Sequence, residues 1–245
     1  MRFLIIRHGD PDYEHDSLTE RGFKEAEALG EWLGGRRIDH IYASPLGRAQ
    51  RTAEPTAKAH GLEIETLDWL REFPAAIDPP YAENGVDAPP GRCPWNMVPQ
   101  YWTKQKEFYQ PDKWDSHPLY ADGSVQSVVA KIDAGWDSLT EKWGYKRNGQ
   151  VYDISPDADR GAVVALFCHL GLGNALISRV TGAALPFIWQ TLFLPTSSVT
   201  TFYTEVYPWF PDQCHMRLIG LGDVSHLARK GIETSSSGLH SMIEE

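Results

Sequence analysis

Two apolar segments that lie far apart in the chain are each followed closely by a histidine. Of all the features of the sequence, this pattern most limits the folds that the chain can adopt. Residues 3–6 precede Arg7, His8 and Gly9, and residues 162–168 precede His169. Short continuous apolar runs are typical of strands buried on both faces of a parallel sheet. Ligands bind beyond the carboxyl ends of such strands. If the two strands are neighbours, the sequence places both histidines at one edge of the sheet.

Strand-like and helix-like segments alternate along most of the chain. This order predicts an α/β protein, a three-layer αβα sandwich with a mostly parallel central sheet. Further strands are expected over residues 38–43, 62–66, 198–206 and 214–220, and helices over residues 18–33, 44–60 and 124–143. Ser44 is expected to cap the second of these helices with Pro45 at its first position, and Pro55 predicts a kink or an early break within it.

The alternation stops where prolines and tryptophans become frequent. Residues 74–123 include Trp95, Trp102 and Trp114, and aromatic residues at this density usually bury surface. We therefore expect a single domain over residues 1–245 with a packed cap inserted at about 74–123, followed by a polar tail at about 229–245. The insertion is expected either to cover the site or to form a packing layer or a homo-oligomer contact.

Charge and composition exclude several classes of function. A formal net charge of −10 disfavours binding to nucleic acid or to an anionic membrane. The three cysteines, Cys93, Cys168 and Cys214, lack the spacing of a zinc site or a disulfide framework. No segment has the ~20 consecutive apolar residues that a membrane span requires. We expect a cytoplasmic protein.

The residues after the two apolar runs suit phosphoryl transfer. A neutral imidazole at His8 can attack phosphorus through one nitrogen while the other donates a hydrogen bond that fixes the tautomer. Arg48 lies in the first turn of its helix, where an anion is favoured, and a guanidinium matches phosphate oxygens. Arg7 can add a second guanidinium, and His169 can stabilise charge in the transition state. Taken singly, His8 as a structural histidine and Arg48 as a surface charge stay open.

Four motifs together resemble the histidine phosphatase superfamily, the phosphoglycerate-mutase-like fold. They are RHG after the first strand, LTERG, SPLGRAQRTA, and a late strand that ends in histidine. The resemblance covers residues 1 to about 72, returns at about 162–182 and is absent from the insertion. It implies that His8 is the phosphorylated nucleophile and that Arg7, Arg48 and His169 bind the phosphate. Within the segment LRE it points to Glu72 as the proton donor.

The chain departs from the family pattern in two places. FPAAIDPP follows Glu72 where the family often has Gly-x-x-Glu-Gly, which leaves Asp78 and Glu83 as alternative donors. Leu170 follows His169 where the family usually has glycine, which indicates a more apolar pocket wall. The acidic segment at residues 10–16 matches no metal motif and is interpreted as a solvated loop.

The favoured function is a metal-independent phosphatase without a cofactor. It would hydrolyse a small-molecule phosphomonoester through phosphorylated His8 and release inorganic phosphate. A phosphoglycerate mutase is the second hypothesis, although residues 74–123 hold only Arg92 and three lysines and lack the basic, triple-proline segment of the mutases. A catalytically idle scaffold that binds phosphorylated ligands is the third. The alcohol that carries the phosphate is not identified by the sequence.

Overall fold

The computed structural model describes residues 1–89 and 93–239. The strands of this part are β1 (Arg2–Arg7), β2 (Pro11–Asp12), β3 (Ser17–Leu18), β4 (His40–Ala43), β5 (Ile64–Thr66), β6 (Tyr145–Asn148), β7 (Val151–Ile154), β8 (Val163–Cys168), β9 (Val199–Tyr207) and β10 (Phe210–Asp223). Its α-helices are α1 (Glu20–Gly34), α2 (Gly47–His60), α3 (Pro99–Trp102), α4 (Ser124–Lys142), α5 (Leu170–Thr181), α6 (Leu185–Thr191) and α7 (Ser225–Lys230).

The main sheet has its strands in the order β5-β4-β8-β1-β9-β10-β7-β6. The four strands from β5 to β1 pair in parallel, and each later pair is antiparallel. Six of the eight strands therefore run in one direction, and β9 and β7 run against them. The predicted mostly parallel α/β sheet is confirmed. The β6–β7 hairpin was not predicted, because its strands are short and only their alternate residues are well buried.

Alternate residues of β1 point into two separate cores. Phe3 and Ile5 pack with Trp136 of α4 and residues of α5 on one face of the sheet. Leu4 and Ile6 pack with α1 and α2 on the other face, where Leu29 is fully buried. Because successive strand side chains point to opposite faces, one apolar run supplies both cores. This arrangement gives the three predicted layers.

The second helix differs from its sequence prediction at its start. It begins at Gly47 and not at Pro45, and the N-cap residue is Leu46. The early break allowed at Pro55 does not occur, because α2 continues to His60. Pro55 packs closely against α1: a Cβ on Gly30 would lie 2.6 Å from the Pro55 Cβ. The two helices can approach this closely because position 30 is a glycine.

The described parts of the stretch that follows β5, residues 67–89 and 93–123, contain short 3₁₀ helices and the single-turn helix α3. Large aromatic side chains of this stretch, including Tyr101, Phe108 and Tyr120, are fully buried and belong to the same core as β1. The segment is therefore packed. Its role as a distinct cap stays a prediction. Among the helices in the described ranges, none is long and apolar enough to cross a membrane.

We predict that Gly30→Ala destabilises the fold by about 1–3 kcal/mol, because the added methyl group overlaps Pro55. Urea unfolding measures the change. Gly34→Ala is the matched control in α1, since its nearest neighbour would be the Ala59 Cβ at 3.4 Å. The control is expected to leave stability unchanged or to raise it slightly through helix propensity. Equal effects of the two substitutions would contradict the packing argument.

Candidate active site

The His8 imidazole is held in one tautomer by the backbone that follows it. β1 and β8 pair with Arg7 opposite Cys168, and the His8 N–H donates to the Cys168 carbonyl at 2.9 Å. The His8 Nδ1 lies 2.7 Å from the Gly9 carbonyl oxygen. Because a carbonyl only accepts, Nδ1 must carry the proton. Nε2 is therefore left as the nitrogen with a free electron pair.

Glycine is required beside His8 because two backbones touch there. A Cβ on Gly9 would lie 2.8 Å from the Gly22 carbonyl oxygen, and a Cβ on Gly22 would lie 2.2 Å from the Asp10 carbonyl oxygen. The first turn of α1 thus packs directly against the turn after His8. The Gly9 N–H also donates to Thr52 Oγ1 of α2 at 2.9 Å. Both helices hold the turn in place.

His169 meets His8 at the same edge of the sheet. The two ring centroids are 5.2 Å apart, and both residues are almost fully buried. His169 Nε2 lies 2.8 Å from the Ser44 hydroxyl oxygen, and its buried Nδ1 has no hydrogen-bond partner within the described ranges. In the tautomer in which Ser44 donates to Nε2, Nδ1–H is a donor available to a ligand.

Two guanidinium groups flank the histidines. Arg48 lies in the first turn of α2, as predicted, and donates to Asp16 Oδ1 at 2.8 Å. Arg7 donates to the carbonyl oxygens of Leu194 at 2.6 Å and Ser237 at 2.8 Å. The Nε groups of both arginines are buried and, in the part of the chain that the structure describes, have no acceptor. Buried N–H groups in this state favour an anionic ligand.

Glu72 lies at the amino terminus of α5, beside the other four residues. Its carboxylate accepts the Phe73 N–H at 2.8 Å, the Leu172 N–H at 3.2 Å and the Gly171 N–H at 3.3 Å. Although Glu72 keeps some solvent exposure, its carboxyl group is surrounded by protein, and this desolvation raises the pKa of Glu72 above its usual value. The alternative donors Asp78 and Glu83 are both exposed.

Burial and positive charge keep both imidazoles neutral. Desolvation lowers the pKa of His8 well below 6.5, and the charges of Arg7 and Arg48 lower it further. Desolvation also lowers the pKa of His169, with His8 and Arg48 adding to the effect. The site therefore offers a neutral nucleophile among fixed donors. A neutral imidazole is the form that attacks phosphorus.

Several supporting residues were missed by sequence reasoning. Asp16 belongs to the loop that we interpreted as solvated, yet it binds Arg48 and also accepts the Gly47 N–H at 2.7 Å. Glu25 is buried beneath the loop and accepts the Asp10 N–H at 3.0 Å; burial raises its pKa to about 7. Glu25 lies three residues after the LTERG motif of residues 18–22, and the sequence did not show that its side chain points inward.

The polar tail predicted from residue 229 lies partly against the site. The Ser237 carbonyl contacts Arg7, and the Ser235 hydroxyl donates to Asp10 Oδ1. Residues 240–245 of that tail are outside the described residues. A cavity of about 670 Å³ lies beside β6 and β7. It is lined by none of the five predicted site residues, which are Arg7, His8, Arg48, Glu72 and His169.

The acidic segment at residues 10–16 is used for hydrogen bonds. Asp12 accepts from His15, and Asp16 binds Arg48. Over residues 1–89 and 93–239 no cluster of three or more histidine, cysteine or carboxylate side chains is arranged to hold a metal ion.

With this geometry in place, the chain can be compared with known proteins. Residues 3–77 match the model of the histidine phosphatase superfamily (branch 1). This part of the chain is therefore similar to that superfamily. The chain is also 34% identical over 86 residues to a probable phosphoglycerate mutase GpmB of Salmonella choleraesuis, a match that covers 31% of this chain and 40% of the relative. The chain thus spans about two fifths of the length of the curated relatives it matches.

Solved structures extend the likeness of the fold to nearly the whole chain. A phosphoserine phosphatase mutant from Entamoeba histolytica, in complex with phosphoserine, has a TM-score of 0.60 at 18% identity, covering 92% of this chain and 98% of that one. A mycobacterial glucosyl-3-phosphoglycerate phosphatase has a TM-score of 0.56 at 18% identity, covering 90% and 98%. The fold that this chain shares with these solved structures therefore extends beyond residue 77.

We predict that the His8 imidazole stays neutral, with the proton on Nδ1, as the pH is lowered from 8 to 6. Its folded pKa lies below the value of 6.5 for an exposed imidazole, so the unfolded chain takes up this proton first and the fold loses stability below about pH 6.5. Nitrogen-15 chemical shifts of the ring, assigned with His8→Asn, measure its protonation state and its tautomer. Protonation of His8 near pH 6.5 would contradict the burial argument.

Proposed function

We propose that the protein is a phosphatase that hydrolyses a small-molecule phosphomonoester through a phosphohistidine at His8. The observation that carries the proposal is the free Nε2 of His8, 2% exposed, in a site with two guanidinium groups and a second imidazole. The similarity of residues 3–77 to the histidine phosphatase superfamily supports the same chemistry. The reaction needs no metal ion, because donors of the chain supply the positive charge.

In the first step the phosphoryl group binds among Arg7, Arg48 and His169. The unpartnered Nε–H groups of the two arginines, together with His169 Nδ1–H, donate to its oxygens. His8 Nε2 attacks phosphorus, and the bond from phosphorus to the leaving oxygen breaks. Glu72 gives a proton to that oxygen, which leaves as the alcohol; burial raises the pKa of Glu72 and so favours the protonated form that this step needs.

In the second step water replaces the histidine on phosphorus. The Glu72 carboxylate takes one proton from the water as its oxygen attacks, and the bond from phosphorus to His8 Nε2 breaks. Inorganic phosphate leaves, His8 returns to its neutral form, and Glu72 is again protonated. Throughout, the Gly9 carbonyl keeps the Nδ1 proton in place, at 2.7 Å.

A phosphoglycerate mutase is the second candidate, favoured by the name of the curated relatives. That match covers only 31% of this chain. It therefore bears on the nucleophile more than on the groups that would bind a second substrate anion. A coupled assay for conversion of 3-phosphoglycerate to the 2-isomer, at a rate above hydrolysis, would favour the mutase.

We predict that a labelled phosphomonoester transfers its phosphoryl group to the chain in the presence of EDTA. An alkaline quench should trap an acid-labile phosphohistidine, because the P–N bond survives alkali. His8→Ala should abolish both the label and the turnover, while His15→Ala, at a mostly exposed histidine, should leave both unchanged. Turnover without label, or turnover that persists in His8→Ala, would contradict the mechanism. Binding of the ester with neither label nor turnover would indicate the idle scaffold.

We predict that Glu72→Gln lowers kcat for an alkyl phosphate by about 10²- to 10⁴-fold, because a poor leaving group needs the proton. For p-nitrophenyl phosphate, whose leaving group needs little protonation, the loss in the phosphorylation step should be much smaller. Steady-state and burst kinetics measure the two losses. Glu83→Gln is the matched control, an exposed carboxyl in the same region. Equal losses for both substrates would indicate that Glu72 acts only by stabilising α5.

A further inference from the structure

A cavity of about 770 Å³ lies beside the proposed phosphate site. Most of its wall is aromatic or aliphatic: Trp95, Trp102, Trp189, Met97, Leu170 and Phe193. Small-molecule pockets of this size usually enclose most of their ligand and hold it mainly by apolar contact. The cavity is therefore large enough for an organic group bonded to a phosphate.

The cavity and the phosphate site share a boundary. Leu170, which lines the cavity, directly follows His169 in the chain. Gly238 also lines the cavity, and a Cβ on it would lie 3.0 Å from Arg7 Nη2 and 3.6 Å from Leu170 Cδ2. Gly238 and Leu170 thus belong both to the cavity wall and to the surroundings of Arg7. None of the five predicted site residues lines the cavity itself, which adjoins the site through these neighbours.

The proposed acid faces the same boundary. Gly171 donates its N–H to Glu72 at 3.3 Å and accepts the Trp189 indole N–H at 3.1 Å. The Trp95 ring covers Gly171 so closely that a Cβ there would lie 2.2 Å from its Cζ3. Since Glu72 must reach the leaving oxygen, the carbon chain bonded to that oxygen lies next to the two indoles.

The polar groups of the cavity wall are largely used within the protein. Gln190 accepts the Met97 N–H at 3.1 Å and donates to the Pro94 carbonyl at 2.6 Å. Among the lining residues that the structure describes, none has an ionisable acidic or basic side chain other than the Cys93 thiol, whose pKa is raised by burial. From these described residues, a carboxylate or second phosphate on the leaving group would gain no charged partner to replace its hydration.

On the basis of the proposed phosphatase activity, we propose that the substrate is the phosphate monoester of an uncharged alcohol with an apolar, preferably aromatic, group. The phosphate binds Arg7, Arg48 and His169, and the apolar group packs against Trp95 and Trp189. Esters that carry a carboxylate near the phosphate are poor substrates.

This substrate preference is tested by measuring kcat/KM of the wild-type protein for two alkyl esters of similar leaving-group basicity, 2-phenylethyl phosphate and ethyl phosphate. The phenyl group should raise kcat/KM by at least about tenfold, the usual effect of burying an aromatic ring in an apolar pocket. Phosphoserine and 3-phosphoglycerate should be poorer than 2-phenylethyl phosphate. Equal kcat/KM for the two alkyl esters, or preference for either carboxylate-bearing ester, would overturn the inference and leave the phosphatase activity standing.

The variant Trp95→Ala tests whether the preference for the phenyl group arises at the cavity wall. It should lower kcat/KM for 2-phenylethyl phosphate much more than kcat/KM for ethyl phosphate, so that most of the preference is lost. Trp209→Ala is the matched control, because Trp209 is 78% exposed and does not line the cavity. Equal losses on both esters in Trp95→Ala would indicate a purely structural role and would overturn the assignment.

Binding of 2-phenylethylphosphonate and ethylphosphonate, measured by calorimetry, tests the pocket without turnover. The aromatic phosphonate should bind at least about tenfold more tightly. Equal binding would overturn the inference whether or not the wild-type protein is an active enzyme. If the wild-type protein hydrolyses no ester but shows this preference, the proposed function fails and the pocket assignment holds.

Discussion

The parallel pairing of β1 with β8 is the contact on which the site depends. The register of this pairing places Arg7 opposite Cys168, which is 161 positions later in the chain. The next residue of each strand end is a histidine, and the rings of His8 and His169 therefore meet with their centroids 5.2 Å apart. The pairing is fixed by burial on both faces, since a slip of one residue would exchange the two cores. No local feature near either histidine could bring them together.

The site concentrates positive charge within a chain of net charge −10. Arg7 is almost fully buried, and desolvation lowers its pKa, while nearby Glu72 opposes that effect. Backbone carbonyls of Leu194 and Ser237, which carry only partial charge, accept two of its N–H groups. A buried cation with incomplete compensation is costly, and a phosphate ester would complete its hydrogen bonds. Burial, together with the positive charges of Arg7 and Arg48, keeps the His8 imidazole neutral and therefore reactive.

The sequence predicted the parts of the molecule that depend on short-range pattern. The strands of β1 and β8, the helical position of Arg48 and the similarity of residues 3–77 to the histidine phosphatase superfamily follow from apolar runs and compact motifs. The contacts of Asp16 with Arg48 and of Ser237 with Arg7 could not be predicted, because each joins segments whose approach is set by packing elsewhere. The early break allowed at Pro55 does not occur, and the close contact of Pro55 with Gly30 of another helix could not be predicted for the same reason.

The direct contact between Gly9 and Gly22 fixes the backbone around His8. A larger side chain at either glycine would push the two backbones apart, so the position of the His8 imidazole depends on the absence of a Cβ there. The wall near residues 93–102 is instead formed by side chains on short helices and irregular loops. For the proposed phosphatase, substitutions in this wall would change which alcohol is bound and leave the position of the imidazole as it is.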